Sequence, residues 1–341
     1  MTDVAPEACI YLDYAATTPV DPRVRDAMLP WLDSLNGFGN PASHNHAYGA
    51  AAAEAVEQAA THVAALINAA PEEIVWTSGA TESDNLAVIG AARFRSMRGR
   101  HVITAATEHK AVLESCGALG AEGFTVTYLQ PDSTGIISPA QVQEAIREDT
   151  ILVSIMHANN EIGVVQDIAA IGAICRTADV LFHVDAAQSA GKLPIDVRAQ
   201  GIDLLSLNAH KACGPKGVGA LFLAADRMPR VEPLLHGGGQ QRAIRPGTLP
   251  VHQIVGMGEA FRLLAAEGAQ EVRRMTALQQ RLRSGLLKLP GVSLNSPAAG
   301  GLCSIVSVSV AGAEGESLLA ALDEMAVASG SACNSASGEP S

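Results

Sequence analysis

The chain has 341 residues, of which 48% are hydrophobic and 17% charged, and carries a net charge of −12. That length accommodates two domains, since one compact domain takes about 100–200 residues. The acidic balance, the lack of any dense Lys/Arg run and an aromatic content of only 4% weigh against direct nucleic-acid binding.

In chain order, residues 11–14 are a short extended entry. Asp21-Pro22 places an N-cap residue before a proline at the first helical position and opens a helix to about residue 32. Residues 37–49 read as a polar loop, and residues 50–68 then set Val56, Ala60, Val63 and Ile67 on one helical face. A strand over 74–77 is broken by Ser78-Gly79 before a helical pattern from about 81 to 95. Strands over 102–106, 125–129, 151–156 and 180–184 alternate with helices over 110–119, 139–146 and 168–177. Strands over 204–207 and 218–223 complete the series. Strand–helix alternation with apolar strands predicts an α/β fold, a mostly parallel sheet between helix layers. Helices over 251–267 and 270–287, a strand over 305–310 and a helix from Gly315 to about 325 predict a smaller α+β domain. The expected division is 15–255 for the large domain and 1–14 plus 256–341 for the small one.

The uncharged run 289–313 contains Pro290, Asn295, Pro297, Gly300 and Gly301, so it reads as a loop and strand, not a membrane span. The first nine residues lack the basic and apolar blocks of a signal peptide, and a cytoplasmic protein is expected. Cysteines at 9, 116, 175, 213, 303 and 333 form no CxxC pair and no zinc spacing, so no metal site is expected. Cys175 and Cys303 fall on apolar faces. Cys333 lies in the small-residue segment 328–338, where an exposed thiol is a candidate nucleophile.

Residues 207–217, Leu-Asn-Ala-His-Lys-Ala-Cys-Gly-Pro-Lys-Gly, put Lys211 where an apolar run meets a Gly/Pro-rich turn. A lone lysine there normally extends its charge into water. Asp185, closing another apolar segment, adds a second feature: pyridoxal phosphate needs a carboxylate to keep its ring nitrogen protonated and a lysine to form an imine. The turn Ser78-Gly79-Ala80-Thr81 offers backbone N–H groups and a helix dipole to a phosphate, although a plain capped turn has the same shape. No GxGxxG follows a strand and no GxxxxGK[ST] occurs, which weighs against dinucleotide and P-loop sites. His109, Asn159-Asn160-Glu161, Asp185 with Gln188, and Lys211 all follow strands at the edge where open α/β sheets bind ligands. His109 alone reads equally as a helix cap; the recurrence points to one crevice. Arg245-Pro246-Gly247-Thr248, with His236 and Gly237-Gly238-Gly239, is either a second phosphate-compatible loop or a flexible surface loop.

The motifs YLDYAATTP, TSGATESDNLA, TEHKAV, NNEIG, HVDAAQS, AHKACGPKG, HGGGQQR, RPGT and SGSACNSAS span the chain from about Tyr11 to Ser341. On them the chain resembles the PLP-dependent cysteine desulfurases of the fold-type I, class-V aminotransferase group, of the iron–sulfur-cluster type. The resemblance implies a mostly parallel seven-stranded-type sheet flanked by helices, with pyridoxal 5′-phosphate bound by Lys211. Asp185 is expected on the ring nitrogen, Gln188 on the phenolic oxygen and His109 stacked on the ring. Ala80, Thr81 and His210 are expected on the phosphate, with Thr248 reaching the phosphate of the neighbouring subunit in a homodimer. Asn160 orients substrate. L-cysteine becomes L-alanine, and Cys333 takes the sulfur as a persulfide, with His109 handling the thiol proton. Delivery goes to a sulfur-acceptor protein such as an iron–sulfur scaffold, or to tRNA or cofactor thiolation, without direct nucleic-acid or membrane binding. Asn208 stands where the family usually has a phosphate-binding serine, and Pro246 where serine or alanine is common. The family continues beyond the cysteine loop with an arginine for the substrate carboxylate, so the expectation at Ser341 is a chain lacking that C-terminal segment. A selenocysteine lyase, a related class-V lyase, or a PLP-bound scaffold of low activity for sulfur-carrier proteins are the alternatives.

Overall fold

Strands apolar on both faces require a helix layer above and below, and the chain supplies both. The computed structural model describes residues 9–33, 37–225, 231–322 and 324–330. In chain order the elements are β1 (Ile10–Tyr11), α1 (Pro22–Met28), α2 (Ala47–Ile67), β2 (Ile74–Thr77), α3 (Ala80–Asn85), α4 (Ala91–Arg95), β3 (His101–Ala105), α5 (Lys110–Ala121), β4 (Thr125–Leu129), α6 (Pro139–Ala145), β5 (Thr150–Ser154), α7 (Ile168–Thr177), β6 (Leu181–Asp185), β7 (Leu204–Asn208) and β8 (Gly219–Leu223). Then follow α8 (Val251–Leu286), β9 (Val292–Leu294), β10 (Val308–Val310), α9 (Gly315–Ala321) and β11 (Met325–Ala326).

The large sheet has seven strands in the order β2-β8-β7-β6-β5-β3-β4. Strands β7, β6, β5, β3 and β4 pair in parallel, and β8 runs antiparallel to both of its neighbours. Successive residues enter opposite layers. Val102, Leu152, Leu181 and Leu204 pack with residues 86–92 and α5, whereas Ile103, Val153, Phe182 and Leu205 pack with α2, α7 and α8. Phe182 and Phe222 are fully buried, and each contributes about 1.5–3 kcal/mol by that burial. Outside this sheet, β9 and β10 pair antiparallel, and β1 pairs in parallel with β11, joining residues 10–11 to 325–326.

Several boundaries differ from the sequence expectation for identifiable reasons. The α2 helix begins at Ala47, because His46 Nδ1 accepts the Gly49 N–H at 3.1 Å and caps the helix. The helix expected over 81–95 is relaxed by a π turn at Leu86–Gly90. The expected pair of helices over 251–287 is one 36-residue helix, α8, which also runs through position 255. Gly268 is no break in it: this buried glycine lets α8 approach Gly191, whose carbonyl oxygen would lie 3.2 Å from an added Cβ. The expected strand over 305–310 forms only at Val308–Val310. Among the described residues no helix is long and apolar enough to cross a membrane.

Candidate active site

Because β2, β3, β5, β6 and β7 point the same way, their C-terminal ends meet at one edge, and the loops beyond them enclose a cavity of about 490 Å³. Ala80, Thr81, His109, Asn160, Asp185, Gln188, Asn208, His210 and Lys211 all line it. Thr248 does not; it is exposed in the loop ahead of α8. In that same loop Arg245 pairs with Glu82 at 2.9 Å. Cys333 lies outside the described residues, but Gly330, three positions earlier in the chain, lines the cavity.

Asp185 is the last residue of β6, and its buried Oδ1 accepts the Ala187 N–H at 2.8 Å. Lys211 stands just past the end of the adjacent β7, in the hairpin that leads to β8. That hairpin is held from several sides. Asn208 Oδ1 accepts the Lys211 N–H at 3.1 Å, Gly214 N donates to Ala209 O at 2.9 Å, and Thr18 donates to His210 O from both N and Oγ1 at 2.8 Å. Thr18 Oγ1 also accepts the Cys213 N–H at 2.8 Å. The N-terminal motif therefore braces the lysine loop, and the Asn208 amide is turned toward the main chain of Lys211.

His109 caps α5, its Nδ1 accepting the Ala111 N–H at 3.1 Å. Burial depresses its proton affinity, with Asp185 acting in the opposite sense and Lys211 reinforcing the depression. The ring is then neutral with its proton on Nε2. His210 is pushed down to about 4 by burial and by Lys211, Lys216 and Lys192, while its Nδ1 meets Thr17 Oγ1 at 3.1 Å. Of the two adjacent asparagines, Asn159 is spent on structure: its Oδ1 accepts the Glu161 and Ile162 N–H groups at 2.9 Å each. Asn160 is the one that lines the cavity.

These residues fit pyridoxal phosphate by their own chemistry. Gln188 donates Nε2 to Ala15 O at 2.9 Å, and its buried Oε1 has no hydrogen-bond partner among the described residues. A Cβ added at Gly79 would meet no atom within 4 Å, so the space above the turn into α3 is open where a phosphate would receive backbone N–H groups. At Gly219 the reverse holds: an added Cβ would lie 2.6 Å from Gly79 Cα, so only glycine lets β8 pass this turn.

Two buried carboxyl groups, Asp84 in the lining and Glu108 beside it, are not evident from the sequence. Asp84 lines the cavity from α3, and burial and then Asp185 raise its proton affinity well above the ordinary range. Glu108 is likewise raised by burial, and its Oε1 accepts the Met156 N–H at 2.9 Å. Their sequence neighbours, Glu82-Ser83-Asp84-Asn85 and Thr107-Glu108-His109-Lys110, are polar and give no local signal of burial.

Behind Asp84 a polar row crosses the sheet. Thr104 Oγ1 donates to Ser154 O at 2.9 Å, Ser154 Oγ meets His183 Nδ1 at 2.8 Å, and His183 Nε2 meets Ser206 Oγ at 2.9 Å. Asp84 Oδ1 lies 3.6 Å from the same Nε2. His183 is fully buried and pushed down to about 3 by that burial. The unfolded chain takes up its proton near the ordinary value of about 6.5, so the folded state loses stability from this residue as pH falls below it. The raised Asp84 and Glu108 oppose this trend in the whole molecule. The isolated effect is expected in His183→Gln: its stability deficit relative to the parent shrinks by about 2 kcal/mol between pH 7 and pH 5, as read by urea unfolding.

Comparison with known proteins agrees with this geometry. Residues 10–340 match the family described as Aminotransferase class-V. The chain is 57% identical over 332 residues to the cysteine desulfurase IscS of Tolumonas auensis, covering 97% of this chain and 82% of that protein. Among solved structures it is similar to SspA in complex with cysteine, with a TM-score of 0.84 and 41% identity over 97% of this chain and 92% of that one. It is also similar to a NifS-like protein, with a TM-score of 0.88 and 38% identity over 92% and 85% of the two chains. A cavity that joins Lys211 and Asp185 at neighbouring strand ends, on a chain with these relatives, makes it a member of the class-V aminotransferase family and, within it, of the PLP-dependent cysteine desulfurases.

Proposed function

We propose that this cavity, holding pyridoxal 5′-phosphate, removes sulfur from L-cysteine to leave L-alanine, and that Cys333 receives the sulfur as a persulfide. The observation that carries it is the meeting of Lys211, Asp185 and His109 in one cavity with the turn into α3. When bound, the cofactor supplies an electron sink that weakens the bonds around the substrate α carbon.

The chain's own residues divide the remaining work. Lys211 Nζ would hold the cofactor and would carry the substrate α proton. Asp185 would keep the proton on the ring nitrogen, and Gln188 would meet the phenolic oxygen. The Ala80 and Thr81 N–H groups and a neutral His210 receive the phosphate, and Asn208 braces the Lys211 main chain. Asn160 orients the substrate. His109 would stack on the cofactor ring and direct its Nε2 proton to the substrate sulfur, orienting that sulfur for attack. The Cys333 thiolate attacks this sulfur: an S–S bond forms, the C–S bond breaks, and its electron pair stays with the carbon, which a proton then completes. A free thiol has a pKa of about 8.5, so a proton acceptor or a positive field at the site has to raise the thiolate fraction of Cys333.

In the same proposal residues 15–255 form the cofactor domain and residues 1–14 plus 256–341 the small one. The chain works as a cytoplasmic homodimer, with Thr248 reaching the neighbouring subunit's phosphate and an iron–sulfur scaffold or similar protein accepting the sulfur. Cys333→Ala provides the test. It is expected to retain the cofactor absorbance while sulfide release from L-cysteine with a reductant present falls to background; release at the parent rate would remove Cys333 from the mechanism.

A further inference from the structure

Lys192 stands outside the cavity lining, on the turn that follows Gln188. Its Nζ donates to the main-chain carbonyl of Gln188 at 3.0 Å and to that of Lys211 at 3.3 Å. Its own N–H donates to Ser189 O at 2.9 Å, which fixes the root of the side chain. A surface lysine extends its ammonium to water, whereas this one turns it inward and ties the segment after β6 to the segment after β7. Both tied residues belong to the cofactor site assigned above. Burial and then the like charge of Lys211 lower the proton affinity of Lys192, to about 8. The effect is mutual, because two ammonium groups in one region each resist protonation of the other.

The charged and titratable groups that share the cavity with Lys211 are Asp13, Glu82, Asp84, Asp185, His109, His210 and Lys216, with Glu82 already paired with Arg245 at 2.9 Å. The carboxylates favour a protonated Lys211 nitrogen, His109 and His210 are depressed toward the neutral form, and Lys216 is exposed to screening solvent. Lys192, with Cys213 and Cys303 as the other groups acting on its charge, is the half-buried cation that opposes the carboxylates.

We propose that Lys192 is a positioning residue for Lys211: it holds the Lys211 main chain against Gln188, and its charge makes the Lys211 nitrogen easier to deprotonate. This rests on Lys211 being the cofactor lysine. The test is a pH titration of the cofactor's visible absorbance in the holoenzyme, comparing the parent with Lys192→Gln, Lys192→Met and Lys192→Arg. Gln keeps donors for the two carbonyls but loses the charge, Met loses both, and Arg keeps both.

The midpoint of the absorbance change is expected to rise by about one pH unit in the Gln and Met variants and to stay with the parent in the Arg variant. A midpoint that stays put in either neutral variant, even with lowered thermal stability, would leave only a structural clamp and overturn the electrostatic role. An equal shift in the Arg variant would overturn it as well. A parent that shows no cofactor absorbance would instead refute the cofactor assignment on which the proposal stands.

Discussion

Lys211→Ala is expected to abolish the visible absorbance of the bound cofactor, at about 420 nm, and to lower sulfur release from L-cysteine by about 10³-fold or more. The reason is geometric. Lys211 shares its cavity with Asp185 and His109, and alanine removes the amine that stands just past the end of β7, leaving on that hairpin only the exposed Lys216, five residues farther on. The backbone should survive the change. The contacts that hold the loop come from Asn208, Thr18 and Gly214 and engage main-chain atoms or neighbouring residues, not the Lys211 amine. Circular dichroism should therefore match the parent, and thermal unfolding should match the parent stripped of cofactor, while absorbance and turnover vanish. A variant that keeps the absorbance band would show that another amine holds the cofactor.

Asp185→Asn is expected to have the second-largest effect, lowering kcat by about 10²–10³-fold with a smaller change in KM. The substitution preserves shape, and the carbonyl oxygen of asparagine can still accept the Ala187 N–H. What disappears is the negative charge. An amide presents neutral dipoles to the ring nitrogen, so that nitrogen has no counter-charge favouring its protonated form. With Asp185 neutralised, Asp84 also loses a like-charged neighbour that raises its proton affinity. The diagnostic reading is kcat measured with the cofactor fully loaded. An unchanged kcat in a loaded Asp185→Asn enzyme would remove the carboxylate from the role assigned to it.

The strand–helix alternation was legible because six of the seven strands of the large sheet, all but the edge strand β4, are short runs buried along their whole length and followed by a turn. Those turns carry the polar motifs, so the lysine, the aspartate, His109 and the turn at Ser78-Gly79 could be placed at one edge before any coordinates. Pairwise detail was not legible. In Asn159-Asn160 the sequence does not say which side chain closes a turn and which faces the ligand; the bonds from Asn159 Oδ1 to two backbone N–H groups do. Asn208 was expected at the phosphate by its place in a motif, while its amide oxygen is bonded to Lys211 N. Gly268 reads as a helix break, whereas the closeness of Gly191 gives a packing reason for a glycine inside a continuous helix. Asp84 and Lys192 are not legible in the sequence because burial of a charged group depends on what lies across the fold, which periodicity does not encode.

The antiparallel course of β8 has a consequence for motion. Lys211 rides on a hairpin between two ladder strands, with Asn208 paired to Gly219, and not on a loop running into a helix. Both ends of that hairpin are fastened to the sheet and its middle to Thr18, so the chain there has almost no freedom to translate. Reach must come from rotation about the four methylenes of the lysine itself. The amine can thus reach only the space within one lysine side chain of a fixed Cα, and whatever it binds, releases or relays a proton to has to lie within that reach.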